Sequence, residues 1–261
     1  MTHNETTVVS ALKQLVTTAP ATVLPRVLVT TGLADRYTTI TGPVGPLYVA
    51  WNDRGVSGVA PAAEDGLFEK NYADRVGRRL VRSDGLPERL KKGIVRTIET
   101  GKLGRLPVDL SGLTPFQRRV LETTATIPRG ELRSYGWVAG EMGRSRAARA
   151  VGSALNRNPV PVLIPCHRVG RSDGTIGEYA FGSEMKRDLL RSEGLDPDGI
   201  EAGAGRGVRF VGSDTTHIYC VPTCRHARRV TDAHRVEFRS GRSATESGYR
   251  ACRVCRPSVA A

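Results

Sequence analysis

The chain has 261 residues, of which 39% are apolar, and carries a net charge of +13 from 33 arginines and six lysines against 26 acids. That apolar share builds ordinary cores and excludes a wholly disordered chain. The positive surplus favours a polyanionic partner, and nucleic acid is the commonest. Genomic base composition competes as the cause of the arginine-to-lysine ratio, but it does not explain the sign of the charge. No long apolar run follows the polar start of the chain, so neither a membrane span nor a secretion signal is expected. The odd count of five cysteines fits the reduced thiols of a cytoplasm better than a disulfide framework.

Residues 8–16 have helical spacing. Arg26-Val-Leu-Val-Thr, Tyr37-Thr-Thr-Ile, Gly45-Pro-Leu-Tyr-Val-Ala-Trp and Gly55-Val-Ser-Gly-Val-Ala are runs rich in β-branched residues between turn residues, and they predict strands. Helices are predicted over 71–80 and 86–97, with a Gly/Pro-punctuated connection over 101–112. The texture changes at Thr114-Pro115, a cap followed by proline in the first helical turn. Two more short helices follow Ser134 and Ser145. In the second, Ala148, Val151 and Leu155 share one side, and Arg146, Arg149, Ser153 and Asn156 share the other. Three short helices, the last with an arginine-bearing face, outline a helix-turn-helix, although many small helical domains share that outline. A last helix over 183–193 stops at Gly194. Residues 194–207, rich in Gly, Asp and Ala, read as a linker.

Cys166 is the only cysteine in the first 219 residues and lies within Pro165-Cys166-His167-Arg168-Val169. A lone cysteine is most often an inert buried apolar side chain. Here the adjacent imidazole, the prolines at 159, 161 and 165, and the charges of Arg168 and Arg171 favour a nucleophile instead. Neighbours in extended backbone rarely touch side chain to side chain, so a proton path from Cys166 to His167 would pass through a water.

Thr114-Pro-Phe-Gln, Ile127-Pro-Arg-Gly, Ser134-Tyr135, Arg146-Ala-Ala-Arg149-Ala-Val-Gly, Asn158-Pro, Ile164-Pro-Cys-His-Arg-Val and Leu189-Leu-Arg-Ser-Glu193-Gly follow one another over about 80 residues. In order and spacing they resemble the O6-alkylguanine–DNA alkyltransferase family. The resemblance implies direct-reversal DNA repair, in which Cys166 takes a methyl group from O6-methylguanine once and irreversibly. It implies that His167 takes the thiol proton through a water, that Glu193 orients His167, and that Asn158 organises the turn before the cysteine. Lys186 matches a position near the pocket. Tyr135 would touch the phosphate beside the target and the guanine ring, and Arg149 would fill the gap left by the extruded base. Arg146, Ser153 and Arg168 are further expected DNA contacts. Val169, Tyr179, Ala180 and Phe181 are expected to line the pocket. The family often has serine and two glycines after the pocket tyrosine. Ala180 has no hydroxyl to donate, and the bulk of Phe181 is expected to favour methyl over benzyl groups.

Three residues separate Cys220 from Cys224 and two separate Cys252 from Cys255, with 27 residues between the pairs. A tetrahedral four-thiolate zinc site is the leading reading and disulfides the competing one. Some 50 residues bury little core, so the metal could be a purely structural staple or a reactive centre. Phe210-Val, Thr215-Thr-His-Ile-Tyr-Cys220, Pro222-Thr-Cys224, Gly248-Tyr-Arg-Ala-Cys252 and Cys255-Arg-Pro257 look like the zinc-binding domain of Ada-type alkylation-response proteins. That resemblance implies that Cys220 is a second methyl acceptor, taking a methyl from a DNA phosphotriester. His217 stands where that family usually has glycine. His226 and His234 are alternative ligands, but the cysteines already complete a site. The AraC-type segment of Ada proteins has no room here, so the alternative function, a damage sensor or transcriptional regulator whose zinc module only binds DNA, lacks part of its usual apparatus.

The expected architecture is α/β and α. It comprises a ribonuclease-H-like α/β domain over 1–110, a helix-turn-helix (winged-helix-like) catalytic domain over 111–200, and a small zinc-bound α+β domain over 207–258. Double-stranded DNA is the expected partner of a cytoplasmic, nucleoid-associated monomer that uses one zinc ion and no organic cofactor.

Overall fold

The computed structural model describes residues 20–257, so the helix expected over 8–16 lies outside them. The run Arg26-Val-Leu-Val-Thr, expected as a strand, lies within helix α1 (Val23–Thr30). Pro25 falls in its first turn, where proline fits a helix and would deprive a strand of a ladder donor. Then follow β1 (Ala34–Gly42), β2 (Gly45–Asn52), β3 (Gly55–Pro61), α2 (Asp65–Val76), β4 (Arg79–Arg82) and α3 (Glu88–Thr100). The helix expected over 71–80 is thus divided. Gly77, at φ +73°, ends α2, and Arg79–Arg82 pairs parallel with β1. The sheet order is β3-β2-β1-β4.

Alternation along β2 shows how this sheet serves two cores. Leu47, Val49 and Trp51 pack into a core that also holds Val120, Leu121, Ile127, Val138, Val151, Ile164 and Leu189. Tyr48 and Ala50 point the other way, onto Tyr37, Phe68 and Tyr72. The larger core therefore runs across the boundary expected at 110/111.

The next part contains α4 (Pro115–Thr124), β5 (Arg133–Ser134), α5 (Tyr135–Glu141), α6 (Ala148–Leu155), β6 (Val169–Gly170) and α7 (Ser183–Ser192). The cap expected at Thr114 is a full capping box with Gln117. Ser134 Oγ accepts the Trp137 N–H at the start of α5. Residues 194–207 are a correction, because the expected linker contains helix α8 (Pro197–Gly205). Asp196 caps it and Pro197 occupies its first turn, the same pairing as Thr114-Pro115. Arg187 and Arg191 of α7 both pair with Asp198, and Ile200 packs beside Leu132, Ile176, Leu190 and Leu195.

The last part holds β7 (Phe210–Ser213), β8 (Ile218–Cys220), β9 (Arg235–Phe238), α9 (Gly241–Glu246) and β10 (Arg250–Ala251), in the sheet order β10-β8-β7-β9. Between β7 and β8, His217 has φ +50°, a backbone region that favours glycine. The chain is a mixed α/β protein, and among the described residues no helix is long and apolar enough to cross a membrane.

A buried polar network ties the 101–112 connection to the first sheet. Arg78 donates to Asp35 at 2.9 Å and to Asp109 at 2.9 Å, and Asn52 Nδ2 donates to both carboxylates. Burial pushes both acids up, but the Arg78 bonds to Asp35 and the Arg54, Ser111 and Asn52 bonds to Asp109 outweigh it and hold both below the usual carboxylate range. The stability they add is present above about pH 4 and is lost as pH falls towards their folded values. Arg78→Ala is expected to cost about 3 kcal/mol at neutral pH by leaving buried Asp35 without its cationic partner. Urea denaturation from pH 7 to 3 should show the gap from the native protein shrinking as the pH falls.

Candidate active site and metal centre

The segment before Cys166 is a loop closed by one side chain. Asn158 Nδ2 donates to Ile164 O at 2.9 Å and to Cys166 Sγ at 3.2 Å, while Asn158 Oδ1 accepts from Val160 N at 3.1 Å. Within the loop Val162 holds φ +73°. Cys166 opens a single 3-10 turn, Cys166–Arg168, that leads into β6, so the cysteine sits on a turn and not on a strand.

His167 is 1% exposed, and its Nε2 lies 2.9 Å from Glu193 Oε1. Glu193 also accepts the Arg168 guanidinium (Nη2 at 2.7 Å) and the Gly130 N–H at 3.1 Å. Burial pushes Glu193 up, but His167 and Arg168 hold it at about 2. Burial pushes His167 below its ordinary value against the pull of Glu193. A neutral imidazole facing a carboxylate must carry its hydrogen on Nε2. Nδ1 is then a free base, and it is buried without a partner. Burial pushes the Cys166 thiol up, opposed by Asn158 and Lys186. The thiol therefore needs a base, and the turn supplies one next to it.

Lys186 is fully buried, and burial brings it down to about 8. Its Nζ donates to Val169 O at 2.7 Å and Glu178 O at 3.2 Å, joining two walls of the site. Tyr179 stands edge-on to His167 at 6.5 Å, and its hydroxyl is buried without a partner. Tyr135 is half-buried, with burial and the nearby Cys166 pushing its phenol up. Arg146, Arg149 and Ser153 are exposed on or beside α6, on the face opposite buried Val151 and Leu155. Ala180 and Phe181 border a cavity of about 650 Å³ shared with Tyr72 and Arg75 of α2, and Phe181 packs edge-on against Tyr179 at 5.6 Å.

Arg168 requires a correction. It is 2% exposed, its Nη1 donates to Gly101 O and Ile127 O, and its remaining donors face Glu193. A guanidinium with those partners is not available to DNA. One contributor was missed in the sequence. Arg75 of α2 donates to the carbonyls of Asn156 and Asn158 at 3.3 and 3.1 Å, bracing the loop that positions the thiol. An arginine on an amphipathic helix reads as a solvated charge, so no sequence signal marks it.

The sulfur atoms of Cys220, Cys224, Cys252 and Cys255 lie within 4.8 Å of one another, and all four residues are buried. Four sulfurs about 2.3 Å from one tetrahedral zinc ion stand about 3.8 Å apart, so this cluster fits that ion. His226 and His234 are exposed and outside the cluster, and His234 pairs with Asp214. Cys220 and Cys252, together with Arg229, Arg250 and Arg253, line a cavity of about 580 Å³.

A partly buried thiol next in sequence to a neutral imidazole, flanked by an arginine-bearing helix, fits a protein that uses its own cysteine as a nucleophile. Residues 115–195 match the model of the 6-O-methylguanine DNA methyltransferase DNA-binding domain, and residues 204–258 match that of the metal-binding domain of Ada. The methylated-DNA–protein-cysteine methyltransferase of Shigella flexneri is 36% identical over 165 residues, covering 59% of this chain and 93% of that one. The protein of the same description from Methanosarcina barkeri is 35% identical, covering 60% of this chain and 96% of its own length. The bifunctional transcriptional activator/DNA repair enzyme Ada of Escherichia coli is 32% identical over 62% of this chain, but only 46% of Ada is spanned. Among solved structures, Mycobacterium tuberculosis OGT in complex with DNA is 32% identical, covers 61% of this chain and 93% of its own, and has a TM-score of 0.49. The chain belongs to the methylated-DNA–protein-cysteine methyltransferases, enzymes of direct-reversal DNA repair, and carries an Ada-type zinc-binding module beside the methyltransferase part.

Arg75→Met is expected to slow methyl transfer on the order of tenfold by loosening the Asn158 loop, since small displacements of reacting groups are costly. Single-turnover rates, measured alongside circular dichroism to confirm the fold, check this.

Proposed function

We propose that Cys166 accepts the methyl group of O6-methylguanine from double-stranded DNA, in a single turnover. The observation that carries this reading is the Nδ1 of His167, the residue next to Cys166, left without a partner while Nε2 pairs with the carboxylate of Glu193. His167 Nδ1 takes the thiol proton through a water. The sulfur forms a bond to the methyl carbon while the carbon–O6 bond breaks, and the guanine oxygen leaves with its charge met by a proton from the pocket. The product is a thioether with no easy route back to thiol.

A methyl on O6 is unreachable in the stack, so the nucleotide is extruded. Arg149, exposed on α6 beside small residues, fills the vacated step, and Arg146 and Ser153 meet the backbone. Tyr135 and the partnerless Tyr179 hydroxyl supply donors to the base, with Val169, Ala180 and Phe181 completing the walls. Lys186 favours the thiolate by its charge and fixes the walls by its two carbonyl contacts. The four-stranded first sheet with α2 and α3 supports a ribonuclease-H-like scaffold over 1–110, and α4 to α6 followed by β6 support a winged-helix-like unit over 111–200. A monomer acting in the cytoplasm suits a reaction that needs one thiol and one lesion.

In the module over 207–258, Cys220 is the second methyl acceptor. Cys220, Cys224, Cys252 and Cys255 would hold zinc as thiolates, and the chain decides which of them reacts. The backbone N–H of Val254 donates to Cys252 at 3.4 Å. That bond withdraws electron density from Cys252, the other ligand on the cavity. Cys220 borders the arginine-lined cavity, where a DNA phosphotriester would be held.

Intact mass after incubation with duplexes carrying O6-methylguanine should rise by one methyl mapped to Cys166, and Cys166→Ser should abolish that gain. Duplexes with methylphosphotriesters should add one methyl at Cys220, and Cys220→Ser should abolish it. Methylation at Cys252 would reverse the assignment within the cluster.

A further inference from the structure

The zinc module touches the methyltransferase part through the turns that carry its metal ligands. Thr223 Oγ1 accepts the Leu132 N–H at 2.9 Å and donates to Leu132 O at 3.3 Å, and both residues are buried. The Arg225 N–H donates to Glu131 Oε1 at 3.2 Å. Thr223 and Arg225 flank Cys224. On the second ligand pair, the carbonyl of Cys255 accepts Trp137 Nε1 at 2.9 Å, and Arg256 pairs with Glu141 and lies over the Trp137 ring. Arg256 holds φ +44°, a costly backbone conformation for a non-glycine residue. Each of these polar contacts comes from a metal-ligating residue or its immediate neighbour.

The other side of this interface leads to the reactive centre in one or two residues. Gly130, next to Glu131, donates its N–H to Glu193 Oε2. A side chain at Gly130 would meet the Glu193 carbonyl at 2.8 Å, so this turn fits closely against the acid. Trp137 lies one residue beyond Gly136 from Tyr135, in the same first turn of α5. Glu131 itself is 1% exposed and pairs with Arg133, so its carboxylate is committed between that arginine and the module. Helix α8 joins the two parts through a docked segment, which keeps the contacts from being a passing encounter.

We propose that the zinc module is a built part of the O6-methylguanine site: its two ligand turns clamp residues 130–137, and Glu131 and Trp137 are positioning residues that hold Glu193 and Tyr135 in register through that clamp. The proposal rests on the methyl transfer to Cys166 argued above. With four thiolates on one ion both turns are pinned, whereas an emptied cluster of four buried thiols leaves them free to separate. Zinc then acts on Cys166 chemistry from outside the reactive centre.

The test uses the full chain with Trp51→Phe, which leaves Trp137 as the only indole. Removing zinc with a chelator under reducing conditions should shift Trp137 emission to the red and raise its quenching by acrylamide. The Gly130 and Leu132 amides should exchange faster, and single-turnover methyl transfer to Cys166 should slow on the order of tenfold, with zinc restoring all three. Thr223→Val keeps the four ligands and removes the hydroxyl. It should retain one zinc per chain, yet speed Leu132 exchange and slow transfer several-fold, while Glu131→Gln should displace the pH–rate profile. Equal transfer rates with and without zinc, or native rates and pH profiles in both variants, overturn the clamp. Failure of zinc-loaded native protein to methylate Cys166 at all overturns the underlying function instead.

Discussion

The carboxylate of Glu193 is the point on which the reactive part of the molecule depends. A buried acid is costly to leave charged, and three donors from two stretches of chain meet that cost. His167 and Arg168 arrive from the turn at the reactive cysteine, and the Gly130 N–H from the loop before β5. Arg168 extends the same knot to the carbonyls of Gly101 and Ile127. Charge satisfaction thereby fixes the imidazole, and the fixed imidazole leaves its Nδ1 without a partner. The acid sits at the C-terminal cap of α7, where the helix field disfavours it, so its site is stabilised by partners and not by its position in the helix.

Around that knot the structure places rigidity where the reaction needs it and exposure where DNA arrives. Asn158 and Lys186 each bind backbone carbonyls with one hand and influence the thiol with the other. Arg146, Arg149 and Ser153 project from the neighbouring helix into solvent. Reactive sulfur and recognition helix are thus held in one core, which includes Val151, Ile164 and Leu189.

The chemistry was legible in the sequence to the extent that it is local. Cys166, His167 and Asn158 lie within ten residues, and the four ligating cysteines announce themselves by spacing. Contacts across long stretches left no pattern. Arg75 reaches Asn158 across 83 positions, Arg225 reaches Glu131 across 94, and Trp137 reaches Cys255 across 118. Arg168 was misjudged because a sequence displays a charge without its partner, and here the partner is Glu193. Helix α8 was obscured by its glycines, although Asp196-Pro197 carried the same start signal that identified α4 correctly. Pro25 likewise outweighed the β-branched residues around it. His217 departs from the glycine expected at its position, and its positive φ gives that expectation a physical reason.

The core shared by β2 and the helices beyond residue 114 has a consequence for how the protein is inherited and dissected. Leu47, Val49 and Trp51 cover the same apolar surface that Val120, Leu121 and Ile164 present from the other side. Cutting the polypeptide between these halves would bare a greasy face on each fragment, inviting clumping in place of independent folding. The first sheet and its helices are therefore free to drift in surface detail, but not to be lost or exchanged unless their inward face is matched.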